Sequence, residues 1–128
     1  LHLLSRRQRQ MCIETEVGIA INYPATSIKN DFQWAPIHPM VEAYKSYQKM
    51  PYDRPTWDLT SVLYSVEGPS YFTVSPAGKI SVTDKGATEF TPDATGNRYY
   101  LTVDAAQAEN IKQHFVTLIS KQPAHFTK

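Results

Sequence analysis

The residues of this sequence best suited to chemistry are Trp57 and Asp58, which lie in the segment 52–64, YDRPTWDLTSVLY. A carboxylate at the start of a short apolar helix, after a loop that brings in other oxygen atoms, suits a hard cation such as Ca²⁺. The same carboxylate can instead satisfy the free N–H groups of the first helical turn, which stabilises a helix by about 0.5–2 kcal/mol. Spacing alone favours the helix cap over the metal ligand.

Other side chains with suitable chemistry are scattered along the chain. The sequence contains four histidines, His2, His38, His114 and His125. Their spacing does not match a zinc site, and the chain has neither a GxGxxG motif nor a phosphate-binding loop. Glu14 and Glu16 would share one face of a strand and could bind a cation, although such pairs are more often solvated. Trp34, Trp57 and Tyr99 could form a surface that stacks on a base or sugar.

Composition indicates one ordinary globular domain. Of 128 residues, 41% are hydrophobic and 20% are charged, which is ordinary globular composition. A chain of this length can bury a core without disulfides or a structural metal. The net charge of +1 gives no reason to expect a nucleic-acid partner. The single cysteine, Cys12, excludes an internal disulfide. No apolar run approaches the roughly 20 residues that span a bilayer, so no membrane partner is expected.

Hydrophobic periodicity predicts three amphipathic helices. They cover about 40–50, 57–66 and 104–121. The last opens with a capping box formed by Asp104 and Gln107. In the second helix, four apolar residues follow the i, i+3, i+4, i+7 pattern of a core-facing stripe. They are Leu59, Val62, Leu63 and Val66.

Between the second and third helices the period changes from helical to twofold. Short strands separated by three turn signals predict an antiparallel four-stranded meander over about 70–103. The turn signals are Pro76-Ala77-Gly78, Asp84-Lys85-Gly86 and the sequence PDATGN. The last helix is predicted to cover one face of this sheet. The fold class is therefore α+β, with 16–128 as a single domain and 1–15 as a tail or altered junction.

Three passages together resemble the C-terminal part of the nucleoside hydrolases, most closely the inosine-uridine-preferring type found in Bacteroidota-like bacteria. They are EVGIAINYPATSIKNDF (16–32), YDRPTWDLTSVLYSV (52–66) and YFTVSPAGKISVTDKGATEFTPDATGNRYYL (71–101). The resemblance covers most of 16–103 and implies that the chain is part of a larger α/β hydrolase fold. In that family, Ca²⁺ holds the ribose hydroxyls of a ribonucleoside while an activated water attacks the anomeric carbon.

The resemblance also implies roles for two residues. The family's metal is held mainly by an aspartate-rich segment near the N-terminus, and a further aspartate comes from a His-Asp pair just before a C-terminal helix. Asp58 matches that aspartate and becomes a candidate Ca²⁺ ligand. Trp57 stands at the family's histidine; an indole cannot donate a titrating proton at neutral pH, but it can stack on the nucleobase. The aspartate-rich run is absent from this chain.

Two functions follow as expectations. The first is a C-terminal fragment of a Ca²⁺-dependent ribonucleoside hydrolase that is inactive alone. The alternative is a stand-alone, non-catalytic binding or assembly module derived from that fold. If the missing N-terminal part of that fold leaves an apolar face open, a homo-oligomer is expected, and the apolar run 17–21 motivates that expectation.

Overall fold

A computed structural model of the protein describes residues 15–124. The helices are α1 (Thr15–Ala20), α2 (Ala25–Asn30), α3 (Pro39–Tyr47), α4 (Leu59–Glu67) and α5 (Ala105–Ile119). The strands are β1 (Asn22–Tyr23), β2 (Arg54–Pro55), β3 (Thr73–Val74), β4 (Gly78–Val82), β5 (Thr88–Pro92) and β6 (Leu101–Thr102), and a 3₁₀ turn covers Pro69–Tyr71. The predicted α+β class and the three predicted helices are confirmed. The tail or junction predicted for 1–15 lies, except for Thr15, outside the described residues.

The described strands form three two-stranded antiparallel sheets, β1–β2, β3–β6 and β4–β5. This pairing differs from the consecutive order of the predicted meander. Thr73 pairs with Thr102, Gly78 bridges Arg98, and Gly78 also begins the ladder to β5. The segment 73–82 therefore pairs first with 98–102, through β3 and Gly78, and then with 88–92, through β4. Together they make a long, interrupted hairpin.

The difference arises because only one of the three turn signals reverses the chain. At the tip, Gly86 has a left-handed φ of 81° and donates to the Thr83 carbonyl at 2.8 Å. The PDATGN sequence instead loops out from the second strand, held by the Asp93 carboxylate, which accepts from the Thr95 amide at 2.8 Å. Gly96 folds back there so closely that a Cβ on it would lie 2.8 Å from the Cα of Gly78.

The core lies where the helices meet the β1–β2 and β3–β6 pairs. Helix α5 packs on β1 and on the 3₁₀ turn, with Ile111 fully buried and Phe115 5% exposed. Its predicted capping box is confirmed, because the Gln107 amide donates to Asp104 Oδ1 at 2.7 Å while Gln107 Oε1 accepts from the Asp104 amide at 2.9 Å. The core cluster consists of Val17, Ile21, Tyr23, Ile28, Phe32, Tyr44, Leu63, Phe72, Leu101, Ile111 and Phe115.

Helix α4 presents a different face to the core from the one that its apolar pattern predicts. Of the four predicted core residues only Leu63 is buried, at 4% exposure. Thr60 and Ser61 are buried beside it, and the Thr60 hydroxyl donates to the Trp57 carbonyl at 3.1 Å. A hydroxyl satisfied by nearby backbone can enter a core at little cost. The prediction for the other three residues is wrong: Leu59, Val62 and Val66 are 39%, 47% and 76% exposed.

No helix within 15–124 is both long and apolar enough to cross a membrane.

Candidate functional site

A buried threonine, Thr56, fixes the turn that carries Trp57 and Asp58. The Thr56 amide donates to the carbonyl oxygens of Gly18 and Ile21, at 2.9 and 3.0 Å. These bonds tie the end of β2 to the C-terminal part of α1. Asp58 therefore starts α4 from a fixed backbone position rather than from a loose loop.

The backbone of Trp57 is held in a conformation that large side chains rarely adopt. Its φ is 46°, in the left-handed region, where a bulky residue is a conformational outlier. Gly18 allows this arrangement, because a Cβ on it would lie 2.6 Å from the Cα of Trp57 and 2.7 Å from its carbonyl carbon. Such strain persists only where the surrounding structure fixes it, as Gly18 and Thr56 do here. The Trp57 side chain itself is 42% exposed.

Asp58 lies at the N-cap position of α4, but its carboxylate makes no capping hydrogen bond. Its backbone is already helical, with φ −69° and ψ −9°, which is not the extended conformation of a capping residue. The helix starts instead with the Leu59 amide donating to the Thr56 carbonyl at 3.0 Å. The hydrogen-bonded cap expected for Asp58 is therefore wrong. The carboxylate is exposed at the surface beside Trp57.

A complete metal site is not found among the residues that the structure describes. No three His, Cys, Asp or Glu side chains between 15 and 124 lie together in a way that could hold a metal ion. Ca²⁺ takes six to eight oxygen ligands, and a single carboxylate does not supply them. The described residues therefore do not fit Ca²⁺ without further ligands, and no catalytic step is derived through the metal.

A small cavity of about 200 Å³ lies against the Trp57–Asp58 turn. Its lining is mostly aromatic and apolar, with one cation; it consists of Tyr23, Met40, Tyr44, Arg54, Pro55, Thr56, Trp57 and Leu59. The Arg54 guanidinium lies 4.0 Å from the centre of the Tyr47 ring. Burial, followed by the proximity of Tyr52, raises the pKa of Tyr44 to about 12, so its hydroxyl stays protonated at neutral pH. The cavity offers stacking surfaces rather than an acid or base.

A second cluster, which the sequence analysis missed, joins α4, the 3₁₀ turn and α5. His114 Nε2 lies 2.9 Å from Glu67 Oε1, and the Tyr71 hydroxyl lies 3.4 Å from His114 Nδ1. Desolvation and then the Glu67 carboxylate raise the pKa of Tyr71, so the phenol does not ionise readily. His114 directly precedes the core residue Phe115 in α5, and this position is the sequence signal for its partial burial.

The other candidate residues are used by the fold. His38 Nδ1 accepts from the Met40 amide at 3.3 Å and so caps α3. Trp34 donates to the Ser120 carbonyl at 3.1 Å, beyond the end of α5. Tyr99 is 56% exposed in the segment that leads into β6. No aromatic contact joins Trp34, Trp57 or Tyr99 to one another in the described part of the chain. His2, Glu14 and His125 lie outside the described residues, as does the Glu16 side chain.

Comparison of the sequence with protein-family models, with curated proteins and with solved structures gives no significant match in any of the three.

Proposed function

We propose that this chain is the C-terminal part of a Ca²⁺-dependent hydrolase that cleaves the N-glycosidic bond of ribonucleosides. The observation that carries the proposal is the state of Asp58, an exposed carboxylate at a helix start that is not used for capping. A surface aspartate held on a fixed turn is available to a metal whose other ligands come from elsewhere in a larger α/β fold. The sequence resemblance in 52–66 supports the same role.

Trp57 has a separate role in this proposal. Gly18 and Thr56 fix its backbone, so the Cα–Cβ bond from which the exposed indole extends has a defined direction. An indole can stack on a nucleobase but cannot transfer a proton to the leaving group. In this proposal Trp57 binds the base, and leaving-group protonation falls to a group other than Trp57.

The chain alone is expected to be inactive. Purified protein should release no free base from inosine or uridine in the presence of Ca²⁺, measured by chromatography of the products. Its melting temperature should be the same in Ca²⁺ and in chelator, because only a ligand that binds the native state raises it. Asp58→Asn serves as the matched control and should melt like the unchanged chain. Ca²⁺-dependent base release that disappears in Asp58→Asn would show that Asp58 acts in a site that this chain completes by itself, contrary to the expected inactivity.

A second candidate function, an assembly module, is favoured by the exposed apolar side of α4. We define the α4 apolar face as Leu59, Val62 and Val66, which recur at helical spacing on the solvent side. Ile19, on the neighbouring helix α1, is also 49% exposed. Apolar patches of this kind mark interaction surfaces. A net charge of +1 opposes association between copies only weakly.

Self-association through the α4 apolar face is therefore expected in the isolated chain. Sedimentation velocity at rising concentration should show a dimer or larger species, and the double change Val62→Gln with Val66→Gln should shift it to monomer. The matched control is Val82→Gln, which alters a valine that is 67% exposed on the β4–β5 hairpin. A clean monomer of the unchanged chain at high concentration would remove this second candidate and leave the hydrolase proposal untouched.

A further inference from the structure

A second surface feature, independent of the Trp57–Asp58 turn, is a groove between α2 and α3. Its main part is a cavity of about 600 Å³. The lining is Ala25, Thr26, Ile28, Lys29, Val41, Lys45, Met50 and Pro51. A smaller cavity of about 160 Å³ shares Ile28, Lys29, Val41 and Lys45 with it and continues toward Pro36 and His38. We call the two together the α2–α3 groove.

The floor of the groove is apolar and belongs to the core. Ile28 is 3% exposed, and Val41 and Met50 pack against the same cluster of buried side chains. A volume of about 600 Å³ lies within the range of roughly 300–1,000 Å³ that small-molecule sites occupy. Helix α3 has nine residues and is therefore about 13 Å long, so an extended chain of several carbon atoms fits along it.

Two lysines supply the charged groups of the groove. Lys45 Nζ lies 2.8 Å from Glu42 Oε1, so its charge is largely balanced. Lys29 lies in the last turn of α2 and is exposed. None of the eight residues that line the main cavity is acidic. Within 15–124, the groove thus combines an apolar lining with about one positive charge, that of Lys29, that forms no ion pair.

We propose that the α2–α3 groove binds a medium-chain aliphatic monocarboxylate. The alkyl chain lies over Ile28, Val41 and Met50, and the carboxylate pairs with Lys29. One negative charge matches the one uncompensated ammonium, and the apolar trough removes the chain from water. A nucleoside, with hydroxyls on its ribose and further polar groups on its base, would leave most of these groups unpaired against this lining.

The test is calorimetric titration of the whole chain with hexanoate, octanoate and decanoate below their micelle concentrations. Each added methylene should tighten binding about fourfold, from the usual transfer free energy of a buried CH₂. Decanol carries the same alkyl chain without the charge. It should bind about two- to fivefold more weakly than decanoate, the difference expected for losing one ion pair to an exposed lysine.

Three variants separate the groove from general surface binding. Lys29→Gln should weaken decanoate binding about two- to fivefold and leave decanol binding unchanged. Thr26→Trp, which fills the groove from an exposed position, should abolish binding of both while the protein still melts cooperatively. Lys85→Gln, at the tip of the β4–β5 hairpin, should change neither. No binding of any chain length, equal affinity for decanol and decanoate, or decanoate binding insensitive to Lys29→Gln and Thr26→Trp would each overturn the proposal.

Discussion

Replacing Leu63 by alanine is expected to lower the free energy of unfolding by about 2–5 kcal/mol, the range for a buried leucine whose surroundings cannot collapse onto the space. Leu63 is 4% exposed and belongs to the main core cluster. Urea denaturation followed by circular dichroism measures the change, with an unchanged slope to show that the unfolding reaction is the same.

The matched control is Val66→Ala on the same helix, where the side chain is 76% exposed. At protein concentrations too low for self-association through the α4 apolar face, this substitution should change the free energy of unfolding by no more than about 0.5 kcal/mol. The pair distinguishes the observed orientation of α4 from the one that its apolar stripe predicts, in which both residues are core. Similar losses for Leu63→Ala and Val66→Ala would contradict the observed orientation.

Replacing Gly18 by alanine is expected to destabilise the protein by about 1–3 kcal/mol, as an overpacked substitution does. Helix propensity acts in the opposite direction, since alanine is about 1 kcal/mol better than glycine inside a helix. We expect the steric clash to outweigh the gain in helix propensity. The added Cβ would lie 2.6 Å from the Cα of Trp57 and 2.7 Å from its carbonyl carbon, and backbone atoms move less easily than a side chain.

Urea denaturation again measures the effect of Gly18→Ala. The control is Gly68→Ala, since a Cβ there meets nothing within 4 Å and only the left-handed φ of 80° opposes it. We expect a loss of about 1–3 kcal/mol in the control from backbone conformation alone, because a φ of 80° with a ψ of −165° is a combination that only glycine adopts readily. A Gly18→Ala protein that is more stable than the unchanged chain would mean that the turn at Trp57 is not held by close contact with α1.

Local signals in the sequence predicted local structure well. The capping box of Asp104 and Gln107 depends on residues three apart, and both of its hydrogen bonds are present at the start of α5. The tip of the hairpin likewise depends on a short segment that ends in Gly86. In both places the residues that decide the structure are neighbours in the chain.

The features that were missed depend on residues distant in sequence. The orientation of α4 is set by which side meets the rest of the core, and buried hydroxyls such as that of Thr60 are invisible to a hydrophobic pattern. The PDATGN sequence has the composition of a turn. Its loop nevertheless leaves the strand direction unchanged, because Arg98, which follows the loop, bridges back to Gly78 at the start of β4. The Glu67–His114 contact spans 47 positions. None of these follows from spacing.

The sequence identified the two residues of the candidate site, but not the backbone conformation of Trp57 or the hydrogen bonding of Asp58. It shows directly that Trp57 precedes an aspartate at the start of a helix. The left-handed backbone of Trp57, and the absence of a capping bond from Asp58, come from the packing of α1 through Gly18 and Thr56. These two facts, together with the motif, are the support for the proposed ligand role of Asp58.

The most direct test of the central claim is the activity of a chimera in which 16–128 of this chain replace the corresponding C-terminal region of an active nucleoside hydrolase. We predict Ca²⁺-dependent release of free base. Asp58→Asn should reduce it by roughly 100-fold or more, as when a group that stabilises transition-state charge is removed, while Glu89→Gln on the exposed edge of β5 leaves it unchanged. A folded chimera that is equally active with aspartate or asparagine at position 58 would contradict the claim.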